Sequence, residues 1–240
     1  MRIAVISDIH AAFKPFAQGL ADARSAGFDQ LVLLGDLFTY GLEPRECADL
    51  AAEAMAKDGA VLVRGNHDQL YIDLERGVGD YFDRLPDWIR ESVEWTWNSL
   101  SQQWPRSLSS VDEWATGDLL MAHANPFGYG DWTYLSDEAT LGRAAKVCAT
   151  RGYRHGIFGH LHRQMHHATR DCEIHVIGSI GQPRSRDDPS PHWAMVETTD
   201  HGIKVTRHDV RFDTAGHCAA VKRHPAFSDS TKQKLCGFFE

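Results

Sequence analysis

Short apolar runs alternate with amphipathic segments through the first part of the chain. Residues 2–7, 31–34 and 61–64 are such runs and predict buried strands. Between the first two, apolar side chains recur at helical spacing from about residue 13 to 26. A second helix is predicted to begin at Pro44 and end near Gly59, since proline favours the start of a helix and glycine its end. Alternating strands and helices predict a parallel sheet with right-handed crossovers.

The pattern shifts from helices to strands in the second half of the chain. A strand at 119–122, a helix at about 137–151 and a run at 156–158 continue the alternation. Four strands joined by short turns, such as Asp200-His201-Gly202, are then predicted. Their ranges are 163–169, 173–177, 192–198 and 203–207. This order predicts two sheets packed face to face, with helices outside.

Two segments stand apart from this alternation. Residues 69–116 are polar and rich in tryptophan and predict two or three helices, one at about 87–103. A helical cap-like insertion packed on the sheet is favoured over a base-stacking platform, the alternative for clustered aromatic residues. Residues 208–240 predict a peripheral C-terminal tail with one or two short helices. Since no Pro/Gly/Ser linker separates two cores, residues 1–240 are expected to form a single domain.

Composition narrows the classes of partner. The chain has 42% hydrophobic and 24% charged residues and a formal net charge of −8, as an ordinary folded protein does. The negative charge argues against broad nucleic-acid binding, which needs a basic face. A small phosphorylated substrate stays compatible, because bound divalent cations would reverse the field within a site.

The cysteines and the apolar runs indicate the cellular compartment. Five widely spaced cysteines without a C-x-x-C pair favour reduced thiols over a disulfide framework. Cys172 and His175 are interpreted as a buried thiol beside a strand histidine, with a soft-metal pair as the weaker alternative. The first strand reaches Asp8 too early for a signal sequence, and no run approaches membrane-spanning length. We therefore expect a cytoplasmic protein with no membrane association.

Side chains of the metal-binding type follow five of the predicted strands. The blocks are Asp8-Ile9-His10, Gly35-Asp36, Gly65-Asn66-His67-Asp68, His123 and Gly159-His160-Leu161-His162. Oxygen and imidazole ligands without thiolate suit Mn, Fe, Zn, Ni or Co. The candidate ligands number seven, too many for one ion: Asp8, His10, Asp36, Asn66, His123, His160 and His162. Two ions sharing one carboxylate, about 3.5 to 4 Å apart, would activate a water for in-line displacement at phosphorus.

The other histidines have a simpler interpretation. A single Asp-x-His or His-x-His pair is more often hydrogen-bonded or solvated than a metal site. We therefore assign nine histidines to structural or exposed roles: His155, His166, His167, His175, His192, His201, His208, His217 and His224. The metal interpretation is kept for the five-block set because each block follows its own strand.

The five blocks closely resemble the calcineurin-like metallophosphoesterase superfamily, with its D-x-H, G-D, G-N-H-[DE], H and G-H-x-H motifs, over residues 1 to about 210. The resemblance implies an α/β (α+β) fold, a four-layer αββα sandwich of two facing mixed sheets flanked by helices. It also implies two divalent transition-metal ions, with Mn foremost and Fe, Zn, Ni or Co as alternatives. By position, Asp8, His10 and His162 would hold the first ion, Asn66, His123 and His160 the second, and Asp36 would bridge them.

The resemblance also implies the catalytic roles. His67 would lie just outside the ions and protonate the leaving oxygen or stabilise the transition state. A metal-bridging hydroxide would be the nucleophile, so that no side-chain nucleophile is required. Protein Ser/Thr phosphatases of this superfamily carry G-D-x-x-D-R-G, whose second Asp orients the acid histidine and whose Arg binds phosphate. Here Thr39 and Tyr40 stand at those positions and are expected to do neither, which disfavours a protein phosphatase.

The chain more closely resembles the small bacterial phosphodiesterase-type branch, which has a G-D-x-x-x-Y-G block and a late G-S-x-G-Q-x-R loop, here residues 178–184. Arg184, or less favourably Arg64, would supply the phosphate contact, while a solvated loop arginine is an equal alternative for Arg184. Tyr40 and Phe127 are expected to shape the pocket. The predicted function is a phosphodiesterase or broad phosphatase acting on a small nucleotide-type ester. The alternatives are a non-catalytic binding scaffold on the same fold and a nuclease with a basic groove.

Overall fold

The computed structural model describes residues 1–185, 187–199 and 202–239, and within these ranges it contains eleven strands and eight helices. The strands are β1 (Arg2–Ile6), β2 (Gln30–Leu33), β3 (Val61–Val63), β4 (Ser110–Val111), β5 (Glu113–Thr116), β6 (Leu119–Ala122), β7 (His155–Phe158), β8 (Gln164–Ala168), β9 (Glu173–Ile177), β10 (His192–Thr199) and β11 (Gly202–Asp209). The helices are α1 (Phe13–Ala26), α2 (Pro44–Asp58), α3 (Asn66–Glu75), α4 (Asp80–Asp83), α5 (Asp87–Ser99), α6 (Glu138–Thr150), α7 (Thr214–Arg223) and α8 (Asp229–Cys236).

The strands form two mixed sheets. One has the order β11-β10-β1-β2-β3-β4 and the other the order β5-β6-β7-β9-β8. In the first sheet β1, β2 and β3 run parallel, and in the second β6, β7 and β9 do. The carboxyl ends of the parallel strands therefore share one edge in each sheet.

Side chains that alternate along each strand build three apolar layers. One set, including Val5, Val32 and Met121, fills the space between the sheets. The opposite faces pack on helices: Ile6 and Leu33 lie against α1 and α2, and a cluster around Phe158 lies against α6. Burial on both faces explains the unbroken apolar runs of the parallel strands. The four-layer αββα sandwich is confirmed.

The helices with terminal signals lie where the sequence predicts them. Helix α1 spans Phe13–Ala26, and α2 begins at Pro44 and ends before Gly59, which adopts the left-handed conformation at φ 64°. A glycine meets that geometry at little cost because it has no Cβ.

The segment 69–116 differs in part from its predicted helical character. Helix α5 ends at Ser99, and strands β4 and β5 follow it. Strand β4 is only two residues long and pairs with β3 at the sheet edge, so it is too short to show a periodicity. Strand β5 turns directly into β6 and directs Trp114 toward the space between the sheets. The expectation of helices alone was therefore wrong for residues 110–116.

The C-terminal helices pack on the first sheet's helical layer. Helices α7 and α8 contact each other, and α8 contacts α5. Their shared cluster includes Val221, Phe227 and Leu235, together with Tyr40 and Trp88 from earlier in the chain. Strands β10 and β11 pair as an antiparallel hairpin, as predicted. Of the turn predicted between them, Asp200 and His201 lie outside the described residues.

Two further expectations concern the cysteines and the membrane. All five cysteines are buried thiols. Cys172 packs on the outer face of the second sheet with Ile174, whereas His175, one position further along β9, points to the opposite face. This alternation removes the soft-metal pair. Among the described residues, the helices are too short or too polar to cross a bilayer.

Candidate metal centre

The seven candidate ligands converge at one edge of the sandwich. Each follows a strand of one sheet or the other, directly or within a few residues: β1, β2 and β3 in the first sheet, β6 and β7 in the second. Parallel topology brings these carboxyl ends together. All seven side chains are buried, and none is more than 5% exposed. A buried set of this polarity requires a partner for its charges and lone pairs.

Four of the seven form a first group of donors, Asp8, His10, Asp36 and His162, whose ligand atoms all lie within 4.8 Å of one another. His10 Nε2 lies 3.0 Å from His162 Nε2, and His162 Nε2 lies 3.3 Å from Asp8 Oδ1. His10 Nε2 is 3.7 Å from Asp36 Oδ2. Two imidazole nitrogens therefore face each other beside two carboxylates.

A second group shares Asp36 with the first. It comprises Asp36, His123 and His160, with His123 Nε2 at 3.3 Å from the same Asp36 Oδ2. Asn66 adds an oxygen: its Nδ2 donates to the hydroxyl of Tyr81 at 3.3 Å, while its buried Oδ1 has no hydrogen-bond partner among the residues described. A carboxylate shared by two donor groups is the arrangement predicted for a pair of ions.

Hydrogen bonds to backbone carbonyls fix which ring nitrogen of each histidine faces the cluster. The Nδ1 atoms of His10, His123 and His162 donate to main-chain oxygens at 3.0, 2.7 and 2.7 Å, which leaves the Nε2 lone pairs directed inward. His160 is reversed, because its Nε2 donates to the Trp132 carbonyl at 3.0 Å and its Nδ1 is left for the cluster. Metal-binding histidines are oriented in this way. The donor set therefore fits divalent cations.

The pKa directions within the cluster indicate that it favours a bound positive charge. Burial lowers the pKa of His10 and His162 well below the ordinary value, so both are neutral. Burial alone would raise the pKa of Asp36, but His123 and His67 lower it well below its usual range. Burial opposes a proton on His123, yet Asp36 and Asp8 raise its pKa to about 10. A divalent cation would replace that proton between the same carboxylates.

Several ligands adopt a strained backbone conformation. Asp8, His10, Asp36, His160 and His162 have φ between 49° and 64°, the left-handed region that L-residues disfavour. Main-chain hydrogen bonds between the strand ends hold this geometry, such as Asp8 N to Gly35 O at 3.1 Å. Strain concentrated on polar buried residues is typical of functional sites.

Gly65 allows these strand ends to pack closely, and the Asp68 carboxylate binds their backbone N–H groups. A Cβ on Gly65 would lie 2.2 Å from Asp36 Oδ1, so no larger residue fits there. Asp68 accepts hydrogen bonds from the backbone N–H groups of Asp36 and Gly65 on Oδ2 and of Leu37 on Oδ1, at 2.8 to 2.9 Å. Sequence reasoning assigned Asp68 no role, although it is the last residue of the Gly-Asn-His-Asp block.

His67 lies beside the first group in a network of hydroxyls. Its backbone N–H donates to Asp36 Oδ1 at 2.8 Å, and its Nδ1 is 3.0 Å from Thr39 Oγ1. Thr39 Oγ1 is in turn 2.7 Å from the hydroxyl of Tyr71, and the hydroxyl of Tyr40 is 3.2 Å from His67 Nε2. The expectation that Thr39 cannot orient this histidine was wrong, because a hydroxyl can accept the same hydrogen bond as a carboxylate. Only the negative charge is lacking.

A pocket of about 310 Å³ opens over the cluster. Its polar floor consists of Asp36, Asn66, His67, His160 and His162, and its walls consist of Tyr40, Trp88, Ile89, Tyr134, Arg184 and Phe238. The half-buried Arg184 donates to Gln182 Oε1 at 2.6 Å and lies 5.0 Å from the centre of the Phe238 ring. Trp88, Tyr134 and Phe238 were not predicted as site residues, because they lie in segments without a motif.

Two other residues with predicted pocket roles lie elsewhere. Arg64 lines a separate depression beside His123, where it pairs with Asp112 at 3.6 Å and stacks on Tyr129. Phe127 packs against the outer core of the second sheet, with the guanidinium of Arg143 3.8 Å from its ring centre. Tyr40 and Arg184 are therefore the predicted contacts that the structure places in the pocket.

Comparisons with known proteins agree with this geometry. A model of the calcineurin-like phosphoesterase family matches residues 1–164. The uncharacterized protein MJ0912 of Methanocaldococcus jannaschii is 31% identical over 223 residues, covering 85% of this chain and 86% of that protein. Among solved structures, a metallophosphoesterase from Sphaerobacter thermophilus superposes with a TM-score of 0.74 at 25% identity, covering 99% of both chains. The hypothetical protein PH1004 from Pyrococcus horikoshii reaches a TM-score of 0.82 at 18% identity, over 98% and 97% of the two chains, and shares the fold.

Proposed function

Because the chain belongs to the calcineurin-like phosphoesterase family, we propose that it is a dinuclear, metal-dependent hydrolase of small nucleotide-type phosphoesters. The family and the buried Asp/His cluster support metal-dependent phosphoester hydrolysis in general. The dinuclear form rests on one observation, the Asp36 carboxylate shared by two buried donor groups. Each group offers several ligands but not a closed shell, which leaves positions for water and substrate.

The ligands divide between the two ions as their positions suggest. Asp8, His10 and His162 would hold the first ion, Asn66, His123 and His160 the second, and Asp36 would contact both. When bound, the ions supply an activated water and positive charge for the phosphoryl oxygens. Manganese is the first choice for a site of mixed carboxylate, amide and imidazole ligands, with Fe, Zn, Ni and Co as alternatives.

Doubly protonated His67 is the proposed proton donor to the leaving oxygen, giving up its Nε2 proton. Burial lowers the pKa of this imidazole, and the negative charge of a bound phosphoester would offset that effect. The His67 ring borders the pocket, and Thr39 holds its Nδ1 so that Nε2 faces Tyr40 and the pocket. A positioned histidine of this kind contributes about 10² to 10⁴ in rate. Arg184 is the proposed phosphate contact, because it is the one Lys or Arg among the described residues that line the pocket.

The pocket walls favour a substrate with one flat ring. Trp88 stacks on Tyr40 with ring centroids 5.6 Å apart and an interplanar angle of 20°, and Phe238 lies 5.9 Å from Trp88. Aromatic faces bind nucleobases by stacking. A nuclease would need a row of phosphate contacts, whereas the described pocket lining offers one arginine and the chain carries a net charge of −8. A small nucleotide-type ester therefore fits better than a polymer.

The test uses metal-stripped protein reloaded separately with Mn, Fe, Zn, Ni or Co. Hydrolysis of p-nitrophenyl phosphate, bis-p-nitrophenyl phosphate and thymidine 5′-p-nitrophenyl phosphate is measured for each form. We expect turnover that depends on metal and favours the nucleotide ester. Asp36→Asn should abolish it and His67→Ala should lower kcat by about 10² or more. His167→Ala is the matched control, because it removes a histidine from β8, outside the centre.

The outcomes separate the alternatives. Wild type that is fully loaded with metal yet hydrolyses none of the three esters would contradict the proposal and support the binding scaffold. Hydrolysis of single-stranded DNA or RNA faster than of the small esters would favour the nuclease. Turnover of the nucleotide ester no faster than that of methyl p-nitrophenyl phosphate, which has no ring besides its leaving group, would leave hydrolysis intact but remove the argument from the aromatic walls.

A further inference from the structure

A second cluster of metal-type ligands lies on the five-stranded sheet, away from the centre described above. It consists of His155 on β7, His166 on β8, and Glu173 and His175 on β9. Register pairs His155 with Glu173 and His166 with His175, and the alternation along β9 directs Glu173 and His175 to one face. His155 begins β7, whereas His160 follows the end of β7, about 10 Å of strand away. The two clusters share no residue.

The distances suit a single ion. His166 Nε2 lies 2.8 Å and His175 Nε2 3.1 Å from Glu173 Oε1, and His155 Nδ1 lies 3.6 Å from Glu173 Oε2. Ligand atoms around a tetrahedral zinc ion, bound at about 2.0 to 2.2 Å, are about 3.3 Å apart. The ligand atoms of His166, Glu173 and His175 all lie within 4.8 Å of one another. His155 lies outside this group and faces the second carboxylate oxygen, so a rotamer change would be needed to bring it in as a fourth ligand.

Two of the imidazoles present nitrogens that the fold does not otherwise satisfy. His155 is 7% exposed, and its Nδ1 has no hydrogen-bond partner among the described residues. His175 Nε2 is also buried and makes no hydrogen bond within the described part of the chain, although it faces Glu173. An unpaired buried imidazole nitrogen costs free energy, and an ion between it and the carboxylate would recover that cost.

The cluster is open to solvent, and the arginine beside it has its charge compensated. A groove of about 300 Å³ reaches His166 and His175, and the His166 side chain is 54% exposed. Arg207, which also lines the groove, is paired with Asp188 at 2.7 Å and Asp209 at 2.5 Å, so its charge is compensated. A cation can enter from solvent without meeting a free positive charge there.

We propose that His155, His166, Glu173 and His175 bind a third divalent transition-metal ion, separate from the phosphoesterase centre. Imidazole and carboxylate ligands without thiolate favour Zn²⁺, with two imidazoles and the carboxylate already together and His155 within reach. The ion ties β7, β9 and the edge strand β8 together at the end of the sheet opposite the catalytic ligands, which makes it a stabilising site. The proposal differs from the interpretation of these three histidines as structural or exposed, which the sequence alone favoured.

Zinc stoichiometry of the full-length protein tests the proposal. Metal-stripped protein is dialysed against buffered Zn²⁺, and bound zinc is counted by mass spectrometry. A double variant, His166→Ala/His175→Ala, should bind one ion fewer than wild type, while the matched control His167→Ala should bind as many as wild type. Co²⁺ in place of Zn²⁺ should give intense visible absorption from a four-coordinate site, lost in the double variant and kept in the control.

Further measurements keep the test independent of folding and of the catalytic centre. Glu173→Gln preserves the shape of the side chain and should weaken zinc binding at this site at least tenfold. Ester hydrolysis by the double variant should equal that of wild type at a temperature where both are folded. Unchanged zinc stoichiometry in the double variant, or an equal loss in His167→Ala, would overturn the proposal whether or not the protein hydrolyses esters.

Discussion

At the scale of single residues, Thr39 stands where the protein phosphatases of the resembled superfamily carry a charged residue, and we expect it to position His67. Its Oγ1 lies 3.0 Å from His67 Nδ1 and 2.7 Å from the Tyr71 hydroxyl, and it accepts from the imidazole when Nδ1 carries the proton. Thr39→Val keeps the shape and removes that acceptor. We expect kcat to fall about tenfold with KM changed less than about twofold, because a hydrogen bond of about 1 to 1.5 kcal/mol that orients the proton donor is lost. Steady-state kinetics on the metal-loaded enzyme measure this.

The serine variant is the control for Thr39. Thr39→Ser restores the hydroxyl and should recover most of the lost kcat. Thr39→Val with wild-type kcat, or Thr39→Ser as impaired as Thr39→Val, would show that the hydroxyl does not position His67.

The site residues that could be predicted from the sequence were those that follow a predicted strand. Asp8 and Asp36 each come directly after an apolar run or its glycine, so parallel topology alone brings them together. Asp68 was missed because its partners are backbone N–H groups, which no sequence pattern displays. Phe238 was missed because its place in the pocket depends on how the last helix packs. The ligand roles of the seven residues and of Arg184 remain predictions until ions and substrate are bound.

At the scale of elements, the C-terminal helices complete the pocket. Phe238 follows α8 and lies in the pocket wall, while its neighbour Phe239 packs against Phe212 and His217. Phe238→Ala should raise KM for the nucleotide ester about tenfold, since stacking contributes about 1 to 3 kcal/mol, and should leave KM for glycerol 2-phosphate, which has no ring, nearly unchanged. Phe239→Ala should lower stability instead. Identical kinetics in the two variants would contradict a substrate contact by Phe238.

The same helices should loosen at acid pH. Burial, with a smaller effect of Lys14, lowers the pKa of His217 on α7 to about 4, against about 6.5 in the unfolded chain. The folded state therefore binds the proton less well than the unfolded state, and this contribution to stability is lost as pH falls from 6.5 toward 4. When the pH is lowered from 7.5 to 5, the free energy of unfolding measured with urea should fall by up to about 2 kcal/mol more in wild type than in His217→Phe. Equal losses in both proteins would exclude His217 as the cause.

Element prediction succeeded where terminal signals or long periodic patterns exist. Helix α1 and strand β6 have the predicted bounds because apolar spacing alone defines them. Strands β4 and β5 were missed because they exist through pairing with β3 and β6 and, unlike β6, contain no unbroken apolar run. Local pattern is weak evidence at sheet edges.

At the scale of the whole molecule, the candidate metal centre lies where the two sheets meet. Asp8, Asp36 and Asn66 follow strands of the six-stranded sheet, and His123 and His160 follow strands of the five-stranded sheet. The four-layer architecture could be predicted from the change between helix-rich and strand-rich halves. The distance between the sheet edges could not be predicted, because it depends on side-chain packing between Val5, Val32 and Met121 in the shared core.

Ions at the proposed centre would bind both sheets in the folded state only, so we expect their removal to destabilise the entire fold. Ions bound at about 1,000 times their dissociation constant contribute about 4 kcal/mol each, and about 1 kcal/mol shifts Tm by about 2 to 4 °C in a domain of this size. We expect Tm to fall by at least about 10 °C after chelation and to return on adding Mn²⁺.

The melt should remain one transition for metal-free and metal-loaded protein alike, since we propose a single domain. Asp36→Asn should melt near the metal-free wild type and gain little from Mn²⁺. A chelated protein with unchanged Tm and no residual metal would show that the sheets are held together without the ions.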